Sequence, residues 1–383
     1  MSVTAAQGFR ASGVAAGLKS SGASDVAMIV NDGPSSTAAA VFTGNRCKAN
    51  PVIWSQEAIK AGSARAVAIN SGGANCYTGA DGFAVTHATA ETVADELSIG
   101  AVDVQVCSTG LIGLLNDRED LLAGVRRAMD VLDADGGPAA AEAIMTTDSV
   151  PKESVVTRDG YTVGGMAKGA GMLAPALATM LVFITTDAEL DADQADAALR
   201  SATRTTFDRL DSDGCQSTND TVLLMASGAS GVRPDPDAFA ESLREVCHDL
   251  ALQLLADAEG ADHEITIDVV NAASEDDAVE VGRSIARSNL FKCAIFGKDP
   301  NWGRILASVG TTEAAFDPAD LDVALNDVWV CRNSGPGEPP TSVSLEERAV
   351  TVTVDLKAGD ARASVWTNDL THAYVHENSA YST

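Results

Sequence analysis

The chain has 383 residues, with 26 Lys and Arg against 54 Asp and Glu and a formal net charge of −28. So acidic a surface repels nucleic acid and anionic membrane, and neither is an expected partner. The length is too great for one simple core and predicts two lobes or a large multilayer domain, and with 45% apolar but only 4% aromatic residues the packing relies on small side chains.

The acidic residues spread over helix-like segments such as 189–200 and 234–250 and do not gather in a tail. That pattern, with Lys scarce, resembles surfaces from high-salt cytoplasm and sets the expectation of a halophilic, haloarchaeal-like source. Seven Cys, an odd number with no C-x-x-C spacing, and no early apolar segment with basic flanks point to free thiols in a reducing cytoplasm. The apolar runs fall short of the ~18 residues of a membrane helix.

In chain order, Asp25–Val30 and Ala38–Phe42 read as strands around the turn formers Asn31-Asp32-Gly33-Pro34. A short helix is predicted over Gln56–Ala61, then a strand over Ala64–Ile69 that ends in Asn70-Ser71-Gly72-Gly73-Ala74-Asn75. Two glycines among small and amide side chains let a backbone approach a ligand, or simply make a tight connection. A helix over Asp81–Leu97 precedes a strand, Val102–Cys107, running into Ser108-Thr109-Gly110. There a hydroxyl and a backbone N–H can stand side by side as an oxyanion needs, and the stretch reads equally as a helix N-cap. After a helix over Asp117–Leu132, Ile144–Asp148 is strand-like with paired hydroxyls at Thr146 and Thr147, which β-propensity explains as well.

The stretch 168–187, KGAGMLAPALATMLVFITTD, holds the most unusual hydroxyl. A Gly-rich, Pro-containing loop enters Thr179, and Met180–Ile184 behind it is apolar enough for a core strand. A cut before Thr179 sets a free α-amine, of ordinary pKa about 8, beside the hydroxyl, which is the pairing of an N-terminal-threonine enzyme. Uncut, Thr179 is an ordinary β-former at a strand start.

Beyond it, an amphipathic helix over Ala192–Leu210 leads to the polar run 211–220, and Val222, just past it, stands where a calcium loop starting at Asp211 needs its twelfth, acidic ligand. A helix over Asp237–Ala258 and a strand over His263–Val270 follow. Glu259 closes that helix where the dipole prefers a cation, so it either frays into solvent or holds a substrate ammonium. Next come a helix over Glu275–Asn289, a strand over Phe291–Phe296, a turn cluster at 297–304, and a hairpin of Val350–Leu356 with Ala361–Trp366. The terminal THAYVHENSAYST is rich in aromatics and hydrogen-bonding groups and predicts a docked tail.

Nine segments in order, FTGNRCKANPV, NSGGAN, CSTGLIG, MTTD, GGMAKGAGMLAPALATMLVFITTDA, STNDT, EGADHEITI, FGKDPNWGRI and AYVHENSAYST, resemble the ornithine acetyltransferase family, also called glutamate N-acetyltransferase, of arginine biosynthesis. The resemblance spans nearly the whole chain. It implies a mixed α/β fold of stacked sheets covered by helices, αββα in type and DmpA-like, with two lobes divided near Thr179. It also implies a precursor cut between Ala178 and Thr179, with residues 1–178 as an α chain and 179–383 as a β chain of one enzyme. The nucleophile then falls at Thr179, the oxyanion donors at Thr109 and Gly110, and substrate contacts at Thr146 (or Thr147), Lys168, Glu259, Asn378 and Thr383. Lys168 and Glu259 suit the carboxylate and the ammonium of a small amino acid.

The implied reaction moves an acetyl group from N2-acetyl-L-ornithine to L-glutamate through acetyl-Thr179, with no cofactor and no metal. The implied enzyme is cytoplasmic, a homo-oligomer of αβ units. The monofunctional type is expected, with acetyl-CoA as a second donor left open. The rival is a self-processing aminopeptidase of the same fold group, in which water captures the acyl-enzyme. A nucleotide-binding module fails for want of G-x-x-x-x-G-K-[ST]. Gly73, Ala176, Leu177 and Cys215-Gln216 depart from the family pattern without removing a catalytic group.

Overall fold

A computed structural model describes residues 2–172 and 180–380. Its first sheet has the order β1-β2-β4-β5, with β1 (Phe9–Val14), β2 (Val26–Asn31), β4 (Ala66–Asn70) and β5 (Val104–Ser108). The second has the order β3-β9-β8-β7-β6, with β3 (Thr37–Phe42), β6 (Lys152–Arg158), β7 (Tyr161–Lys168), β8 (Leu181–Thr186) and β9 (Thr221–Ala226). A third has the order β13-β12-β11-β14-β10-β15, with β10 (Glu264–Ala272), β11 (Asp322–Leu325), β12 (Val328–Arg332), β13 (Gly335–Pro336), β14 (Ala349–Asp355) and β15 (Ala361–Asn368). The helices are α1 (Asn50–Ala58), α2 (Gly79–Leu97), α3 (Arg118–Asp130), α4 (Gly137–Ala143), α5 (Ala192–Thr205), α6 (Pro236–Ala256), α7 (Glu275–Ala286), α8 (Asn289–Phe296), α9 (Trp302–Val309) and α10 (His372–Ala380).

Side-chain alternation along β8 shows how the layers stack. Leu181 and Phe183 enter a core shared with Ile29, Val67 and Ile69 of the first sheet, whereas Val182 and Ile184 enter a second core with Leu199 of α5 and Leu243 and Val246 of α6. A strand covered on both faces needs an apolar side chain at each position, which accounts for the unbroken run after Thr179. Each such side chain contributes about 1.5–3 kcal/mol on burial. On the far side of the first sheet, Met28, Ala68 and Val106 pack under Val93 of α2 and Leu121 and Val125 of α3. The order of layers is therefore helix, sheet, sheet, helix, as expected.

The third sheet and α7 to α9 form their own core, from Ile265 to Val365, and so make a second lobe. The lobe boundary lies near residue 260 and not at Thr179. β3, β6 and β7 precede Thr179 and interleave with β8 and β9, which follow it, so both sides of the junction build one sheet.

Three local expectations are corrected. The segment 291–296 is the helix α8 and not a strand. Phe291, Ala294 and Ile295 are buried at helical spacing, and the Ser288 side chain caps the N-terminus, features that a short apolar run hides. Ile144–Asp148 is not a strand: Ile144 closes α4, which Pro138 opens in its first turn. β14 and β15 do not form a hairpin, because β10 lies between them, with Ile267 opposite both Val352 and Val365. Their short link crosses the end of β10, where the Ala358 and Gly359 N–H groups donate to Asn271 O.

Candidate functional site

The ends of β5 and β7, the loop 211–219 and α10 enclose a cleft of about 700 Å³. Thr109, Gly110, Thr146, Lys168, Glu259 and Asn378 all line it, and Thr147 does too. Five segments far apart in sequence, before Thr179 and after it, thus converge on one cavity. Ala178, Thr179 and Thr383 lie outside the described residues.

One end is built to hold an anion. Lys168, the last residue of β7, is 1% exposed, and its Nζ donates to Thr146 Oγ1 at 2.6 Å and to Thr109 Oγ1 at 3.3 Å. Burial pushes this ammonium below the ordinary lysine value, against the pull of Asp148, Glu259 and Asp220. Asp148 anchors the group. It accepts from Lys152 Nζ at 2.7 Å, Gly169 N at 2.5 Å and Thr146 N at 3.0 Å, and stands 3.7 Å from Lys168 Nζ. Burial works to raise its carboxyl, but Lys168, Lys152 and these hydrogen bonds outweigh that and hold it well below the usual carboxylate range. Lys152, fully buried, also reaches Asp257 at 2.6 Å.

Asp148→Asn leaves two buried lysines short of charge and is expected to cost about 3–5 kcal/mol in urea unfolding. Because the folded-state value is depressed, the carboxylate's contribution is complete above its unfolded value, about 3.9, and fades as pH falls below it. The difference from wild type is therefore expected to be constant from pH 5 to 8 and to shrink in stronger acid. A difference that grows with acid contradicts this assignment.

A second wall carries Thr109 and Gly110. The Thr109 N–H is already committed to Asn70 O at 2.9 Å, so Thr109 can offer only its hydroxyl, while Gly110 follows with its own N–H. Gly110 has φ +123, and a Cβ there would stand 3.0 Å from Gly73 Cα and N, so the turn packs against the backbone of the NSGGAN loop in a conformation that favours glycine at 110. Asn219 fastens the two loops, with Nδ2 donating to Ala74 O at 2.6 Å and Ser108 O at 2.8 Å. No helix follows Thr109, so it is not an N-cap.

The opposite end is acidic. Glu259 sits in the loop three residues past α6, its N–H held by Ala170 O at 2.9 Å. Burial raises its carboxyl, Thr147 and Asn378 beside it pull the other way, and Asp213 and Glu377 add to the rise. The C-terminal segment docks here as expected. Tyr374 Oη donates to Asp213 Oδ1 at 2.8 Å, and Thr371 Oγ1 donates to Gly260 O at 2.5 Å. Gly260, at φ +60, lets α10 sit so close that a Cβ would fall 2.2 Å from Tyr374 N. Thr146 therefore serves the Lys168 end and Thr147 the Glu259 end.

Asp148, Asn219, Asp213 and Tyr374 have no role that the sequence alone assigns. They sit in MTTD, STNDT, the polar run 211–220 and the aromatic tail, but only the fold shows what each one holds.

A model of the ArgJ family matches residues 10–383. A protein of Streptomyces coelicolor named arginine biosynthesis bifunctional protein ArgJ is 63% identical over 382 residues, covering 100% of both chains. One of the same name from Thermobifida fusca is 62% identical over 383 residues, again covering 100% of both. Among solved structures, an arginine biosynthesis bifunctional protein of Bacillus halodurans is 35% identical with a TM-score of 0.50, covering 52% of this chain and 98% of that one. An ornithine acetyltransferase from Mycobacterium tuberculosis, complexed with ornithine, is 56% identical with a TM-score of 0.45, covering 45% of this chain and 94% of that one. The full-length relatives are actinobacterial and lend no support to a haloarchaeal-like source. Among the described residues no helix is long and apolar enough to cross a membrane. With residues 10–383 matched and close relatives aligned end to end, the chain belongs to the ArgJ family.

Proposed function

We propose that the chain moves an acetyl group from N2-acetyl-L-ornithine to L-glutamate through an ester on Thr179. It is an acyltransferase of its family, and the observation that carries the reading is the convergence of Thr109, Gly110, Thr146, Lys168 and Glu259 on one cleft at the strand ends. Thr179 Oγ attacks the acetyl carbonyl and its proton passes to the Thr179 α-amine. The Thr109 hydroxyl and the Gly110 N–H face the oxyanion, each worth about 3 kcal/mol in such a role. The intermediate collapses, the C–N bond breaks, and the ornithine nitrogen leaves with the proton. The glutamate amine then attacks the ester and repeats the steps in reverse. Lys168 suits the carboxylate common to both amino acids, and Glu259 an ammonium.

The nucleophile's amine requires a cut between Ala178 and Thr179, giving residues 1–178 and 179–383. The sheet order supports a cut at this place. Lys168 and Leu181 are paired neighbours on β7 and β8, so the connection between them can open while the strands on either side stay hydrogen-bonded. The Bacillus halodurans chain, matched over 98% of its length by 52% of this one, has the size of such a piece.

Ornithine release from N2-acetylornithine, followed with and without glutamate, tests the reading. Release that rises with glutamate and is matched by N-acetylglutamate supports a transferase, and release indifferent to glutamate replaces it with a hydrolase. The word bifunctional in the relatives' names favours a second acetyl donor. Acetyl-CoA with glutamate, assayed for N-acetylglutamate, tests that addition.

A further inference from the structure

Asp220 ends the loop that carries Asn219 and stands immediately before β9. Its side chain is fully buried, and Oδ1 accepts the Met180 N–H at 3.1 Å. That nitrogen belongs to the peptide joining Thr179 to Met180, two covalent bonds from the Thr179 Cα and three from its α-nitrogen. The Thr221 N–H donates to Met180 O at 3.3 Å, so Met180 is gripped on both sides by residues 220 and 221. Asp220 Oδ2 has no well-formed hydrogen bond among the described residues. Ser217 reaches the carboxyl weakly with its hydroxyl and its backbone N–H, and the Lys168 charge on β7 acts on it as well. A buried carboxyl oxygen so poorly partnered is costly, and an amide side chain would grip the same N–H without an ionisable group.

We propose that Asp220 is a positioning residue for Thr179, one oxygen clamping the amide that follows the nucleophile and the other accepting a hydrogen bond from the α-amine that the cut releases. The proposal rests on the acetyl-Thr179 reading above. It gives that oxygen a charged donor, an ammonium, that exists only in the processed enzyme. Burial alone pushes the Asp220 carboxyl well above the usual range, and a new ammonium beside it restores the carboxylate. In the reaction Asp220 forms no covalent bond. The proton leaving Thr179 Oγ resides on the α-amine, steadied by Oδ2, until the C–N bond breaks and the leaving nitrogen takes it.

The test is Asp220→Asn, which keeps the shape and the acceptor for the Met180 N–H. With N2-acetylornithine and glutamate, kcat is expected to fall on the order of 10- to 100-fold with KM little changed. The acid limb of kcat/KM is expected to move to lower pH by about one unit, since a carboxylate no longer favours the ammonium. Wild-type kcat with an unmoved pH profile overturns the proposal. Should the variant fail to fold, the wild-type α-amine itself decides. Its carbamoylation by cyanate is expected to titrate above the ordinary α-amine value of about 8, and a value at or below that overturns the proposal. Mass analysis of the peptide beginning at Thr179 separates the two readings. Absence of an acetyl group on wild-type enzyme mixed with N2-acetylornithine sinks the acetyl-Thr179 reading. An acetyl group that forms equally fast, with the same pH dependence, in Asp220→Asn sinks only the role of Asp220.

Discussion

Thr179→Ala is expected to leave one intact, folded chain with no acetyl transfer. The substitution removes the hydroxyl on which both events depend. On the reading proposed above, that oxygen attacks the Ala178 carbonyl in the precursor and the acetyl group in the mature enzyme. Turnover should drop by at least about 10⁴-fold, the range seen when a covalent nucleophile is removed. Folding should survive, because β3, β7, β8 and β9 make one sheet whether or not the chain between Lys168 and Leu181 is cut. Thr179→Ser keeps a hydroxyl and an α-amine and should restore both cutting and transfer at reduced rate. Denaturing mass analysis and glutamate-dependent ornithine release check the pair. A Thr179→Ala chain still cut before residue 179, or still transferring, would move the nucleophile elsewhere.

What the sequence discloses and what it hides follow from how local each signal is. The 19-residue helix α2 and the core strand β8 are legible because their periodicity lies within one segment. Phe291–Phe296 misleads because six apolar-rich residues fit either period until burial separates Phe291, Ala294 and Ile295 from exposed Leu290. The supposed hairpin fails because β10, almost eighty residues earlier, slips between its two strands, and no local pattern announces that.

The site divides in the same way. Thr109, Lys168 and Glu259 sit in motifs that resemble a family, and the fold brings them to one cleft. Asp148 and Asp220 look like any other carboxylate in a chain of net charge −28. Only their partners distinguish them: Lys152 and Gly169 for one, and the Met180 N–H for the other. A buried acid is invisible in sequence because its meaning lies in groups that folding delivers.

The oxyanion wall makes the second large expectation, and its two donors can be told apart. Thr109→Val keeps the shape of the side chain and removes only the hydroxyl. The backbone bond from Thr109 N to Asn70 O stays, and Lys168 Nζ gives up its longer bond to Thr109 Oγ1 at 3.3 Å but keeps Thr146 Oγ1 at 2.6 Å, so the fold and the anion end should be little disturbed. Loss of a donor to the tetrahedral intermediate should lower kcat on the order of 10²- to 10³-fold with KM for N2-acetylornithine nearly unchanged. Thr109→Ser, which replaces the hydroxyl, should recover most of that loss. Gly110→Ala differs in kind. Its Cβ would meet Gly73 at 3.0 Å in a backbone conformation, φ +123, that side chains disfavour. The turn must shift, taking its N–H with it, at a strain cost of about 1–3 kcal/mol. Gly110→Ala should therefore lose both kcat and thermal stability, and Thr109→Val kcat alone. If Thr109→Val transfers acetyl at the wild-type rate, the hydroxyl faces no oxyanion, and the Gly110 N–H must work with a donor other than Thr109.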